Sequence, residues 1–153
     1  MTFAYQSRPI EPSPLVEGDV VFRPLIPVHF LSYRSPAAVW ALADTGADYT
    51  LVPESLARAV GMTEYSDEIT KLNGFGGKEL TVTSGCADLM IVADKGRYHW
   101  CTRVGIVNFE RPEDEVVVLG HGGFFEFFAA SFDPQAKSLS LIPTPAFPGT
   151  IKQ

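Results

Sequence analysis

Apolar residues in this chain fall into short runs and short alternations, and few stretches keep a helical period. Residues 20–30 (VVFRPLIPVHF) are dense in Val, Phe, Ile and Leu but are interrupted by Pro24 and Pro27. Proline has no N–H to give to a strand ladder, so this run predicts an edge or bulged strand. Ala37–Ala43 (AAVWALA) is continuously apolar and predicts a strand covered on both faces. Residues 79–83 alternate, and residues 87–93 (ADLMIVA) form a second apolar run. Asp94-Lys95-Gly96 then predicts a hairpin turn, with Gly96 free to take a positive φ and a strand returning over 98–107. Residues 115–119 (EVVVL) predict a further buried strand. Asp133-Pro134 begins a tight turn that joins a strand through Ala129, Ser131 and Phe132 to Ser138–Pro143 as a last hairpin.

Helix is scarce. Residues 53–61 (PESLARAVG) carry proline at the start, an acid in the first turn and glycine just past the end, which predicts a short helix. Residues 123–130 (GFFEFFAA) predict a second one, mostly buried through its phenylalanines. The expected fold is all-β, mainly β with two short helices, closed into a barrel-like core. The 13 glycines and 12 prolines are spread along the chain, as frequent turns between short elements require. Residues 1–18, with Pro9, Pro12 and Pro14 among polar groups, read as an arm or loose lead-in. The domain proper is expected over 19–143, with a tail over 144–153.

Composition narrows the function classes. The 153 residues are 46% hydrophobic and 20% charged, the balance of one soluble domain able to bury a core without disulfides. That length does not accommodate two full lobes facing each other across a cleft. The net charge is -6, and the 12 basic residues are scattered from Arg8 to Lys152 without a run. Phosphate neutralisation needs clustered cations, so nucleic acid is not an expected partner. No stretch approaches the roughly 20 apolar residues that span a bilayer. The first eight residues lack a charged lead followed by an apolar core. Two cysteines, Cys86 and Cys101, do not make a disulfide scaffold. A soluble cytoplasmic protein with no membrane partner and no cofactor is expected.

The chemistry concentrates where the run 37–43 meets Asp44-Thr45-Gly46-Ala47-Asp48. A carboxylate buried beside apolar sequence is costly unless it is hydrogen-bonded or used. Gly46 lets another backbone approach, its amide can donate to the carboxylate, and the Thr45 hydroxyl can pin the loop. Asp44-Thr45-Gly46-Ala47 after an apolar strand resembles the active-site loop of retropepsin-like aspartic proteases. Three further features stand in that family's order. The helix over 53–61 follows the loop. Asn73-Gly74-Phe75-Gly76-Gly77 sits between two expected strands, where the family has its mobile flap. Val117-Val118-Leu119-Gly120 supplies the paired hydrophobics and glycine that pack behind the loop, before a short helix and the Phe132-Asp133 hairpin. The resemblance covers about residues 20–143.

The resemblance implies a closed barrel-like acid protease (retropepsin) fold of a single lobe. It implies catalytic roles for Asp44, Thr45 and Gly46. Ala47, Asp48 and the flap residues Gly74, Phe75, Gly76 and Gly77 would meet substrate, and Leu119 and Gly120 would support the loop. The chain departs at His121-Gly122, where retroviral members usually carry arginine and then Asn or Asp. That arginine pairs with the acid matching Asp48, a role His121 can take only when protonated.

A single carboxylate cannot act as both base and acid in one attack of water on an amide. Two that share a proton can, because like charges at close range drive their pKa values apart. One motif per chain therefore points to a homodimer with an isologous interface, acting as an aspartic endopeptidase on a peptide or protein. A second reading stays open: the same dimer retained as a non-enzymatic peptide-binding or scaffolding module, suggested by His121-Gly122-Gly123 and by the extensions at both ends. At the level of single residues, Asp44 also reads as a turn acid, Gly74–Gly77 as an ordinary glycine turn, and Asp48 as a solvated loop acid. His99 and Cys101 share a strand face and invite a metal site with Cys86, but no CxxC or HExxH spacing supports one, so no metal is expected. Phe124, Phe125, Phe127 and Phe128 read as core or dimer contact.

Overall fold

The computed structural model describes residues 1–32, 34–73, 79–109 and 111–152, with backbone alone for 63–70, 72–73 and 79–80. The strands are β1 (Thr2–Ala4), β2 (Gln6–Pro9), β3 (Val20–Arg23), β4 (Leu25–Phe30), β5 (Ala37–Ala43) and β6 (Leu51–Pro53). After the helix α1 (Glu54–Val60) come β7 (Thr63–Asn73), β8 (Glu79–Ala93), β9 (Gly96–Val107), β10 (Val117–Leu119), β11 (Phe128–Asp133), β12 (Ser138–Pro143) and β13 (Thr150–Lys152). The main sheet runs β13-β9-β6-β10-β5-β4-β8-β7, and an additional β8–β9 pairing closes it. The closure leaves a ring of six strands, β9-β6-β10-β5-β4-β8, with β7 and β13 outside it. The expected mainly β, single-lobed closed barrel is the architecture adopted. Smaller sheets β1-β12-β11 and β2-β3 lie beside it. Among the described residues no helix is long and apolar enough to cross a membrane.

Local chemistry explains most boundaries. Pro24 divides the run 20–30 into β3 and β4. Pro27 sits inside β4 opposite Trp40, and β4 meets β8 only at His29 and Phe30. Proline's missing donor thus falls where β8 has not yet joined, so an interior strand tolerates it. β5 has the bounds its apolar run predicts, yet only its C-terminal half is covered; Ala38 and Trp40 are exposed. Helix α1 ends at Gly61 in the left-handed region (φ 66°), whose N–H donates to the Arg58 carbonyl at 3.1 Å. β8 is one strand of 15 residues where two short ones were expected, and Gly96 turns it into β9 with φ 138°.

Two expectations are corrected. Residues 1–18 are not loose throughout, since β1 pairs with β12 and β2 with β3. Residues 123–130 do not form a helix. Gly123 has φ 89°, its N–H donates to the Glu126 carboxylate at 2.6 Å, and Phe128 already pairs with Pro143 in β11. The second helical element is instead a 3-10 turn at Pro112–Asp114.

The barrel is filled by Ile26, Val28, Phe30, Leu89, Ile91, Trp100 and Ile106, all nearly or fully buried. Burying such a side chain contributes about 1.5–3 kcal/mol relative to leaving it in water. Phe124 and Phe128 pack on Trp100 with ring centroids 6.2 and 5.2 Å away, and Phe147 joins them. This aromatic cluster plugs the barrel and anchors the 121–127 turns, because the Trp100 indole N–H donates to the Gly123 carbonyl at 3.2 Å.

Candidate active site

β5 delivers Asp44 to the surface. Its N–H donates to the Leu119 carbonyl at 3.1 Å, carrying the β5–β10 ladder one residue past the strand. Its carbonyl accepts from the Ala47 N–H at 3.2 Å, which closes a turn over residues 44–47. Within that turn the Gly46 N–H donates to Asp44 Oδ1 at 2.9 Å. The carboxylate is therefore oriented by its own loop, as the Asp-x-Gly spacing allows. A Cβ on Gly46 would stand 3.2 Å from Oδ1 and crowd it. Asp44 is half-buried, Ala47 likewise, and Thr45, Gly46 and Asp48 are exposed.

β10 holds the loop from behind. It lies between β5 and β6, parallel to the first with Leu119 opposite Ala43, and antiparallel to the second with Val118 opposite Leu51. Leu119 is fully buried. At Gly120 the chains come so close that a Cβ would lie 2.3 Å from the Tyr49 carbonyl oxygen and 2.8 Å from that of Ala47. Only glycine permits that approach. Beyond it the His121 N–H donates to Ala47 O at 2.9 Å and the Gly122 N–H to Asp48 O at 2.8 Å. The loop is thus stitched to residues 119–122 on both sides of Gly120.

His121 does not reach toward Asp48 in the manner the resemblance raises. Its Nε2 lies 3.0 Å from the Thr45 carbonyl oxygen, and its ring packs on Phe125 with centroids 5.8 Å apart. A carbonyl only accepts, so Nε2 carries the proton and donates. The turn after Asp44 is fixed through the Thr45 carbonyl.

Thr50 is a support that the motif does not announce. It is 1% exposed, its Oγ1 accepts from the Gly120 N–H at 3.3 Å, its N–H donates to Gly122 O and its carbonyl accepts from Gly105. A buried hydroxyl with these partners ties the loop to β9 and β10 together. The available signal is a polar residue flanked by Tyr49 and Leu51 where the chain re-enters the barrel.

Beside the loop is a cavity of about 340 Å³, walled by Leu51, Val82 and Val104 and bordered by Tyr49, Arg103 and Glu126. Its apolar wall suits an uncharged side chain. β7 and β8 pair as a hairpin up to Asn73 opposite Glu79, and Gly74, Phe75, Gly76 and Gly77 at its tip lie outside the described residues. Among the described residues no group of three or more His, Cys, Asp or Glu is arranged to hold a metal. Chemically the loop presents one fixed carboxylate, able to take a proton from water or, when protonated, to give one.

No family model matches the chain, and no curated protein matches it. Among solved structures, the protease of EIAV complexed with the inhibitor HBY-793 is similar, with 20% sequence identity and a TM-score of 0.42. The likeness covers 65% of this chain and 82% of that one. At that identity and score it adds no weight to any assignment at the Asp44 loop.

Proposed function

We propose that the chain is one protomer of a homodimeric aspartic endopeptidase of the retropepsin-like type, with residues 19–143 as its catalytic domain between the arm 1–18 and the tail 144–153. The observation that carries the reading is the Asp44-Thr45-Gly46 turn at the end of β5, its carboxylate held by the Gly46 amide and its backbone braced by β10. Each subunit contributes Asp44, and the pair shares one proton. The ionised carboxylate takes a proton from the attacking water while the protonated one donates to the scissile carbonyl oxygen. No covalent intermediate forms on the enzyme. Thr45 and Gly46 hold the carboxylate, Ala47 and Asp48 line the path of the substrate backbone, and Leu119 and Gly120 keep the loop in place.

An extended peptide would lie across the two loops beside the β7–β8 hairpins, and the substrate-binding role proposed for Gly74, Phe75, Gly76 and Gly77 rests on their place in the sequence alone. The cavity walled by Leu51, Val82 and Val104 favours an apolar substrate side chain. Asp44→Asn keeps the acceptor for the Gly46 amide but removes the titrating group. It is expected to abolish cleavage of a mixed peptide pool while sedimentation still shows a dimer. Undiminished cleavage by this variant sinks the assignment. Wild-type dimers inert at every pH would favour the non-enzymatic module, and a strict monomer at high concentration would leave Asp44 without its partner.

A further inference from the structure

Away from the Asp44 loop, β8 and β9 lay two thiols against each other. The ladder places Cys86 opposite Arg103 and Cys101 opposite Asp88, so the cysteines are diagonal neighbours on one face of the ribbon. That face is the outer one, since the alternate residues Ala87, Leu89, Trp100 and Thr102 are buried. Both cysteines are free, Cys101 exposed and Cys86 half-buried, and their Sγ atoms are 2.7 Å apart. The ladder runs without a register shift from Val82 opposite Val107 to Ala93 opposite Gly96, so neither strand has to slide to bring the sulfurs together.

We propose that Cys86 and Cys101 form a redox-active dithiol, a modification site at which hydrogen peroxide closes a reversible disulfide across β8 and β9. A structural thiol is inert because it is buried in apolar surroundings, and this pair is open to solvent. Cys101 holds its proton, with its pKa raised to about 11, first by the hydrogen bond with Cys86 and then by burial and by the negative charges of Cys86 and Asp88. In the proposed step Cys86 attacks and Cys101 resolves. The Cys86 sulfur displaces hydroxide from the peroxide, giving a sulfenic acid at Cys86. The Cys101 sulfur then attacks that sulfur, the S–S bond forms, and the departing hydroxide takes the Cys101 proton to leave as water. Two thiols and one peroxide give one disulfide and two waters, with peroxide as the oxidant reduced.

The bond would tie β8, the strand that leads from the β7–β8 hairpin, to β9, its hydrogen-bonded neighbour in the barrel. It closes a loop of about 15 residues, which is expected to raise the thermal midpoint by about 5–10 °C. The thiol pair would react in this way whatever the Asp44 loop does.

The test uses the full chain, reduced with dithiothreitol, desalted and titrated with hydrogen peroxide. Expected is the loss of both thiols together at about one equivalent of peroxide, a Cys86–Cys101 cross-linked peptide in a non-reducing digest, the midpoint rise, and reversal by dithiothreitol. Cys101→Ser, a small change on an exposed face, should stop at a sulfenic acid on Cys86 that dimedone captures. Two thiols that stay titratable, cross-links only between chains, or a disulfide that lowers the midpoint would each overturn the proposal.

Discussion

Gly120→Ala tests whether the brace behind the Asp44 loop is steric. The new Cβ would lie 2.3 Å from the Tyr49 carbonyl oxygen, 2.5 Å from its carbon and 2.8 Å from the Ala47 oxygen. Carbon and oxygen rest at about 3.3 Å or more, so the chains must part by roughly 1 Å. All of these neighbours are backbone, and none can swing aside. Parting weakens three hydrogen bonds that cross this seam: Gly120 N–H to Thr50 Oγ1, His121 N–H to Ala47 O and Gly122 N–H to Asp48 O. At about 1 kcal/mol each, with about 1–3 kcal/mol for overpacking, the cost is about 4–6 kcal/mol. The smaller unfolded-state entropy of alanine returns about 0.4–1 kcal/mol, leaving a net loss of about 3–5 kcal/mol. That is a large part of the about 5–15 kcal/mol that stabilises a typical domain. Urea unfolding at fixed protein concentration, followed by tryptophan fluorescence, measures the loss. Gly122→Ala is the control, because its nearest contacts would be 3.4 Å, an ordinary van der Waals distance. Its expected loss stays within about 1 kcal/mol. If Gly120→Ala stays within that range too, or if the two variants lose the same stability, the steric account is wrong.

Alongside the Asp44→Asn test, two further outcomes are expected. His121→Ala removes the hydrogen bond to the Thr45 carbonyl and the packing on Phe125, so urea unfolding should register a loss of about 0.5–1.5 kcal/mol. If the proposed peptidase activity is present, kcat should fall more than KM changes, because the turn carrying Asp44 loosens. Tyr5→Phe should flatten the alkaline limb of the stability curve. Burial, and secondarily the Asp133 charge, raise the Tyr5 pKa above its ordinary value of 10.0. Below that value the phenol is protonated in both states and its contribution is complete. Above it the unfolded chain releases the proton first, so wild-type stability falls as pH climbs through the folded pKa. Urea midpoints at about pH 9 and pH 11 should differ less in the variant than in the wild type.

The parts of this molecule that are legible in sequence are those decided within a few residues. Gly61 and Gly96 stop or turn the chain because they accept a positive φ. The Asp44 turn is legible for the same reason, since carboxylate, amide donor and glycine all lie within residues 44–47. Closure of the barrel is decided elsewhere. It depends on β10 entering between β5 and β6, which joins Leu119 to Ala43 and Val118 to Leu51 across long stretches of chain, and on β8 being continuous enough to pair with β9 along its length. No short window records such pairings. The 123–130 segment shows the reverse failure, a local pattern overruled from a distance. Its phenylalanines serve a cluster built on Trp100 and Phe147, and β12 claims Phe128, so burial is satisfied without a helix.

Strand pairing within the protomer constrains the proposed dimer. β1 is tied to β12 and β13 to β9 within the protomer, so both terminal strands have partners in their own chain. A second copy that brings its own Asp44 across must approach where Thr45, Gly46 and Asp48 are exposed and where Tyr49 leaves 54% of its surface open. A charged substitution at Tyr49 should then weaken self-association seen by sedimentation and leave the urea midpoint of the dissociated protomer nearly unchanged. Self-association that is indifferent to Tyr49→Asp would place the interface on another face and separate the two carboxylates that the chemistry requires.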